Sequence, residues 1–187
     1  KGNSDSETLI QLLEKFGIDK TLSLLSGMFA FALWDIKKEE LIIARDLYGE
    51  KPVYFGLFDQ NLIFASELDS FLALGPQNFF LNKDAVLELL RRSFIPAPLS
   101  ILKNVYKLKP GFYLKINKKK FKKNINFKSP GKKFFKKLKI VNWKKNIKIK
   151  NKYTNVEKQI ELLIEKSVKD QLISDVPIGT FLSGGID

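Results

Sequence analysis

Apolar residues first recur at helical spacing. Leu9, Leu12, Leu13 and Phe16 fall on one face of a helix. Ser4 and Glu7 stand before them at the spacing of a capping box, and Gly17 predicts the stop. A second short helix is predicted over residues 21–25, closing at Ser26 and Gly27. The pattern then changes. Residues 28–34, MFAFALW, form a dense apolar run and predict a buried strand. A charged turn at 35–40 leads into a returning strand at 41–44, and two more strands are predicted at 53–55 and 62–65. Turn-forming residues fill 48–52 and 59–61. These hairpin-like connections predict an antiparallel sheet, and the dense strands predict that both its faces are covered.

Further along, residues 68–74 predict a helical segment ending at Gly75, and residues 84–92 a helix with Asn82 as its N-cap. Pro96 and Pro98 break the chain. Lys109, Pro110 and Gly111 predict a turn between extended pieces at 104–108 and 112–116. Val156, Ile160, Leu163, Ile164 and Val168 recur at helical spacing and predict a helix to about residue 173. Residues 179–182 predict a short buried strand, with Ser183, Gly184 and Gly185 as the loop after it. No internal repeat is present.

Composition narrows the chemistry. Of 187 residues, 44% are hydrophobic and 12% aromatic, which is too apolar for a disordered chain. There is no Cys and no His, so disulfides, thiol nucleophiles, Cys/His zinc sites and imidazole triads are excluded within this sequence. No apolar run reaches the ~18 residues expected of a membrane span, and the opening KGNSDSETL lacks the apolar region of a signal peptide. The sequence starts at Lys1 and stops at Asp187 inside an apparent motif, so it is expected to be an internal piece of a longer protein. The net charge of +13 is unevenly spread. Residues 115–153 hold 17 Lys and no acid, which leaves 16 basic and 20 acidic residues elsewhere, a net −4. A Lys run can be a nucleic-acid patch. This one lacks Arg and any RNA-binding motif, and reads as a solvated connecting segment. Its aromatics, Phe121, Phe127, Phe134, Phe135 and Trp143, are stacking platforms or the apolar side of short strands.

The last five residues carry the clearest candidate chemistry. A small Gly-rich loop after a strand lets backbone N–H groups approach an anion, because no Cβ intervenes. Asp187 could help hold Mg²⁺ at bound phosphates. The loop is not a Walker A loop, since G-x-x-x-x-G-K is absent. Read alone it is equally a plain tight turn.

Taken with its surroundings, SGGID at 183–187 after SDVPIGTFL at 174–182 resembles the pyrophosphatase loop of glutamine-dependent asparagine synthetases. GMFAFALWD at 27–35, ARDLYGEKPVY at 44–54, FASE at 64–67 and KLKPGFY at 107–113 resemble further segments of that family, with Val53 in place of the usual Leu. The resemblance covers residues 2–114 and 156–187 and fails across most of the Lys-rich stretch. It implies an α+β chain. Residues 1–115 would be the second part of an αββα glutaminase domain of the N-terminal-nucleophile type, and 116–155 a connecting segment. Residues 156–187 would be the first strand and loop of an α/β ATP-pyrophosphatase domain. The family's nucleophile is an N-terminal Cys that this sequence does not contain, so no residue here is expected to be catalytic.

Asp5 is the glutamine ligand that the resemblance implies, through the α-ammonium group; read alone, it favours a helix N-terminus electrostatically. Phe181, Leu182, Ser183, Gly184, Gly185 and Asp187 are the implied ATP-binding residues, with Asp187 also on the metal. Arg45 and Asp46 are expected to fix the turn at Gly49 rather than to bind ligand; Glu67 ends a strand and could line the glutamine site or as well cap the next helix. The implied reaction joins ammonia from glutamine to a β-aspartyl-AMP made from aspartate and ATP, with Mg²⁺ as companion of ATP. A cytoplasmic enzyme is expected, without nucleic-acid or membrane partners, and a homodimer is allowed. Two alternatives stand beside it: a related amidotransferase acting on a polysaccharide sugar or other carboxylate, and a basic nucleic-acid-binding module around residues 115–153.

Overall fold

The computed structural model describes residues 4–123, 135–137, 153–181 and Gly184. The chain divides into two units, Lys1–Val141 and Asn142–Asp187.

In the first unit, Ser4 caps α1 (Asp5–Leu24), its Oγ accepting from the Ser6 N–H at 3.2 Å. Glu7 does not return the second bond of a capping box; its Oε1 accepts from Gln11 Nε2 at 3.4 Å. Gly17, at φ 71° and ψ 174°, breaks α1 into two pieces as its position predicts. The break has a cost four residues on. A helical Thr hydroxyl normally bonds the carbonyl four residues back. With Gly17 outside the helical array, the buried Thr21 hydroxyl has no partner among the described residues.

Among the described residues, seven strands follow in two antiparallel sheets. They are β1 (Ala30–Asp35), β2 (Glu40–Arg45), β3 (Tyr54–Phe58), β4 (Asn61–Ala65), β5 (Val105–Lys107), β6 (Phe112–Asn117) and β7 (Phe135–Lys137). The first sheet has the order β1-β2-β6-β7 and the second β4-β3-β5. The strand pattern alone predicts one antiparallel sheet, whereas the αββα arrangement that the resemblance implies has two; the structure has two. Only β1–β2 and β3–β4 are hairpins. The latter turns at Asp59 and Gln60, both with positive φ, as a two-residue loop demands. The turns after β2 and after β5 instead carry the chain from one sheet to the other.

Alternation along β2 builds the layers. Ile42 and Ala44 pack with Leu22 of α1 and with Tyr113. Ile43, facing the other way, packs between the sheets with Val53, Phe55, Leu108 and Leu114. On the far side of the second sheet, Phe71 of α2 (Asp69–Leu72) packs on Leu102 and Val105. The order is helix, sheet, sheet, helix. β2 is covered on both faces, as expected, but β1 is not: Trp34 is 45% exposed although its register partner Leu41 packs towards the inter-sheet core. β1 is an edge strand, and the narrower three-stranded sheet does not reach over it.

The helix α3 (Lys83–Arg92) starts where Asn82 predicts, Oδ1 accepting from the Asp84 N–H, and ends at Ser93 in a left-handed conformation. The Lys-rich segment is not wholly an excursion. It opens with α4 (Lys118–Lys123), and β7 pairs with β6 through Phe135 opposite Leu114. Without β7 the backbone edge of β6 would be open, and β7 extends the sheet there.

In the second unit, α5 spans Tyr153–Gln171, with Ile160, Leu163, Ile164 and Val168 exposed. The strand expected at 179–182 is absent from its described residues, 179–181. A strand needs a hydrogen-bonding neighbour, and among the described residues of this unit there is none.

Candidate functional site

Asp5 occupies the first turn of α1 and is exposed. Its Oδ1 receives only the Ser4 and Ser6 hydroxyls, each at 3.5 Å. Among the described residues no cation pairs with it. Its carboxylate complements the helix N-terminus.

The other expected residues lie in the second unit. Phe181 is fully exposed and Gly184 has a left-handed φ of 74°. Leu182, Ser183, Gly185 and Asp187 lie outside the described residues, and with them the expected nucleotide loop and Mg²⁺ ligand. Among the described residues no group of three His, Cys, Asp or Glu could hold a metal ion.

Arg45 and Asp46 take the role expected of them, on a larger scale than a single turn. Asp46 is 1% exposed. Its Oδ1 accepts from the N–H groups of Tyr48 (3.1 Å), Gly49 (2.6 Å) and Glu50 (3.0 Å), and its Oδ2 from Lys51 (3.0 Å). Burial pushes this carboxyl up, but the four N–H donors outweigh burial and hold it below the ordinary carboxylate value. Arg45, 6% exposed, donates through Nε to Lys51 O, through Nη1 to Leu108 O and through Nη2 to Gly49 O. Burial lowers its pKa, and the charge of Asp46 partly restores it.

Two further bonds join the same place: Gly111 N–H to Asp46 O and Leu108 N–H to Val53 O, both 2.8 Å. The pair thus bolts together the two connections that pass between the sheets. Gly49 sits at their contact with φ 72°, and a Cβ there would lie 2.7 Å from Pro110 Cγ and 2.9 Å from Arg45 Cζ. This position requires glycine both for conformation and for space.

Glu67 caps nothing; the N-cap position of α2 is Leu68, without a side-chain bond. Sequence reasoning missed one tie. The buried Tyr113 hydroxyl donates to Asp19 Oδ1 at 2.7 Å, joining β6 to the second piece of α1. The only available signal was a Tyr inside an otherwise apolar strand, since a buried phenol needs a partner. Lys107 was likewise missed. Its Nζ donates to Ile95 O at 3.1 Å and stands 5.5 Å from the centre of the Tyr54 ring.

Comparison with known proteins bears on what this scaffold serves. A glutamine amidotransferase domain family matches residues 1–127, and an asparagine synthase family matches residues 159–187. The "Putative asparagine synthetase [glutamine-hydrolyzing] 2" of Methanocaldococcus jannaschii is 34% identical over 188 residues, covering 98% of this chain and 33% of the relative. Amidase chry2 of Gibberella zeae is 33% identical over 189 residues, covering 100% of this chain and 26% of the relative. Asparagine synthetase [glutamine-hydrolyzing] 1 of Bacillus subtilis is 32% identical over 185 residues, covering 99% and 27%. The chain spans about a quarter to a third of the length of these relatives.

Proposed function

Because this chain belongs to the glutamine amidotransferase domain family, we propose that it supplies the second part of a glutaminase domain, followed by the opening of an ATP-dependent synthetase domain, in an enzyme that makes asparagine. One observation carries the reading: an amidotransferase match and an asparagine synthase match stand in that order in one chain, separated by the Lys-rich segment.

In this reading the Asp5 carboxylate takes the α-ammonium group of glutamine. Its lack of a cation partner among the described residues supports that role, because a paired carboxylate would have to give up its partner first. The nucleophile that attacks the glutamine amide is not among these residues, since the sequence has no Cys. Residues 181–187 would border the nucleotide in this reading, with the backbone of Ser183, Gly184 and Gly185 as the phosphate donors and Asp187 as the Mg²⁺ ligand. ATP with Mg²⁺ would supply the activation of the acceptor carboxylate. The cage around Asp46 ties together the two connections between the sheets and is assigned no substrate contact in this reading.

A second reading keeps the architecture and changes the acceptor. The Gibberella zeae relative is named an amidase and matches as much of this chain as the synthetases do. Among the described residues no helix is long and apolar enough to cross a membrane. We place the enzyme in the cytoplasm. Feeding the complete protein glutamine labelled with ¹⁵N in the amide, with and without aspartate, separates the two readings. Labelled asparagine and pyrophosphate that both require aspartate support the synthetase. Pyrophosphate release indifferent to aspartate contradicts it and favours another carboxylate acceptor.

A further inference from the structure

A pocket of about 430 Å³ opens beside the cage, walled by Phe94, Ile95, Pro96, Ala97, Pro110 and Phe112. Its polar lining is Arg45, Lys107 and Lys109, and no acid lines it among the described residues. The nearby carboxylate, Asp46, is turned away into four backbone N–H groups. Neither Arg45 nor Lys107 lies within ion-pair distance of a carboxylate among the described residues.

Holding two cations together in a half-buried pocket is unfavourable; Asp46 offsets part of the Arg45 charge, and a bound anion would offset that of Lys107. Burial and the neighbouring Arg45 charge accordingly lower the Lys107 pKa. Lys107 spends one of its three N–H donors on Ile95 O, which leaves two for a ligand. The apolar walls add a second requirement. They favour a ligand with an apolar body and disfavour a strongly hydrated dianion such as phosphate.

We propose that this pocket binds a small monocarboxylate with an apolar body, its carboxylate accepting from Lys107 Nζ and its body lying against Phe94, Pro96 and Phe112. The site lies wholly in the first unit and does not depend on the glutaminase reading. Titration of the complete protein with sodium benzoate, followed by TROSY ¹⁵N amide shifts, tests it directly. Benzoate should give saturable shifts confined to residues 94–97 and 107–112. Benzamide, the neutral isostere, should bind at least tenfold more weakly. Lys107→Met, which keeps the stem and removes the charge, should weaken benzoate at least tenfold. Non-saturable shifts, or equal binding of benzoate and benzamide, would overturn the proposal. So would unchanged affinity in a folded Lys107→Met chain. If that variant does not fold, the comparison of the two ligands on the unaltered chain decides.

Discussion

The Arg45 guanidinium donates to the carbonyl of Leu108, 63 residues away in the chain. This bond closes the gap between the turn leaving β2 and the turn entering β6, the two places where the chain changes sheets. Around it, Arg45 also holds the carbonyls of Gly49 and Lys51, while Asp46 gathers the N–H groups of residues 48–51. One turn therefore has its donors and its acceptors satisfied by adjacent side chains of opposite charge.

The planar fork of Arg45 reaches three carbonyls at once, which the point charge of a lysine cannot. Arg45→Lys should therefore destabilise the fold by about 2–4 kcal/mol despite conserving charge. The denaturant midpoint of the variant against the parent measures this. An unchanged midpoint would mean that only the charge at position 45 matters.

Asp46 should dominate the acid limb of stability. Its folded pKa lies below the ordinary carboxylate value of 3.8, so its contribution is complete above that value and is lost as pH falls through the depressed folded pKa. Asp46→Asn should cost about 1.5–3 kcal/mol at pH 7. The difference between parent and variant should shrink as pH falls below about 4. Urea denaturation across pH 2–7 would show it, and a constant difference would contradict the assignment.

Tyr113 should act on the alkaline side. Burial first, and then the bond to Asp19 and its charge, raise the phenol above its ordinary value of 10.0. Its contribution is full below about pH 10 and declines as pH climbs towards the raised value. Asp19 is exposed and can rehydrate, so Tyr113→Phe should cost only about 1 kcal/mol at pH 7. The variant should also lose stability less steeply between pH 9 and 11. Parallel alkaline profiles for parent and variant would count against the bond.

Much of this fold was legible because its signals are local. Gly17 breaks α1, Asn82 caps α3, and Asp59 with Gln60 turns one hairpin, each through its own backbone preference. Periodicity alone did not show the partition into two sheets, which only the resemblance implied. Lys109, Pro110 and Gly111 read as a turn between two extended pieces, but nothing local tells that these pieces join different sheets, β5 pairing with β3 and β6 with β2. Tyr113 and Asp19 are 94 residues apart, and no periodicity links them. For the site, the role of the Arg45–Asp46 pair could be read from a short motif. The cationic pocket could not, because Lys107 and Ile95 meet only through tertiary packing.

The Lys-rich segment now has a structural stake. Replacing residues 118–150 by a short Gly/Ser linker removes β7 and uncovers the edge of β6. Reduced soluble yield and a lower denaturant midpoint are expected. Full retention of both would show that β7 adds nothing to the sheet.

The glutamine reading rests most directly on Asp5, and Asp5→Ala in the complete enzyme tests it. Loss of a charge-assisted bond to the glutamine ammonium group is worth about 1.5–3 kcal/mol, roughly a ten- to hundred-fold fall in kcat/KM. Asp5 is exposed and among the described residues its carboxylate bonds only to its neighbours Ser4 and Ser6, so its removal should leave the fold intact. Pyrophosphate release by parent and variant should be followed with glutamine and, separately, with ammonium chloride as nitrogen source. The account predicts that the glutamine-driven reaction falls ten- to hundred-fold while the ammonia-driven reaction is unchanged; an equal fall in both would contradict it.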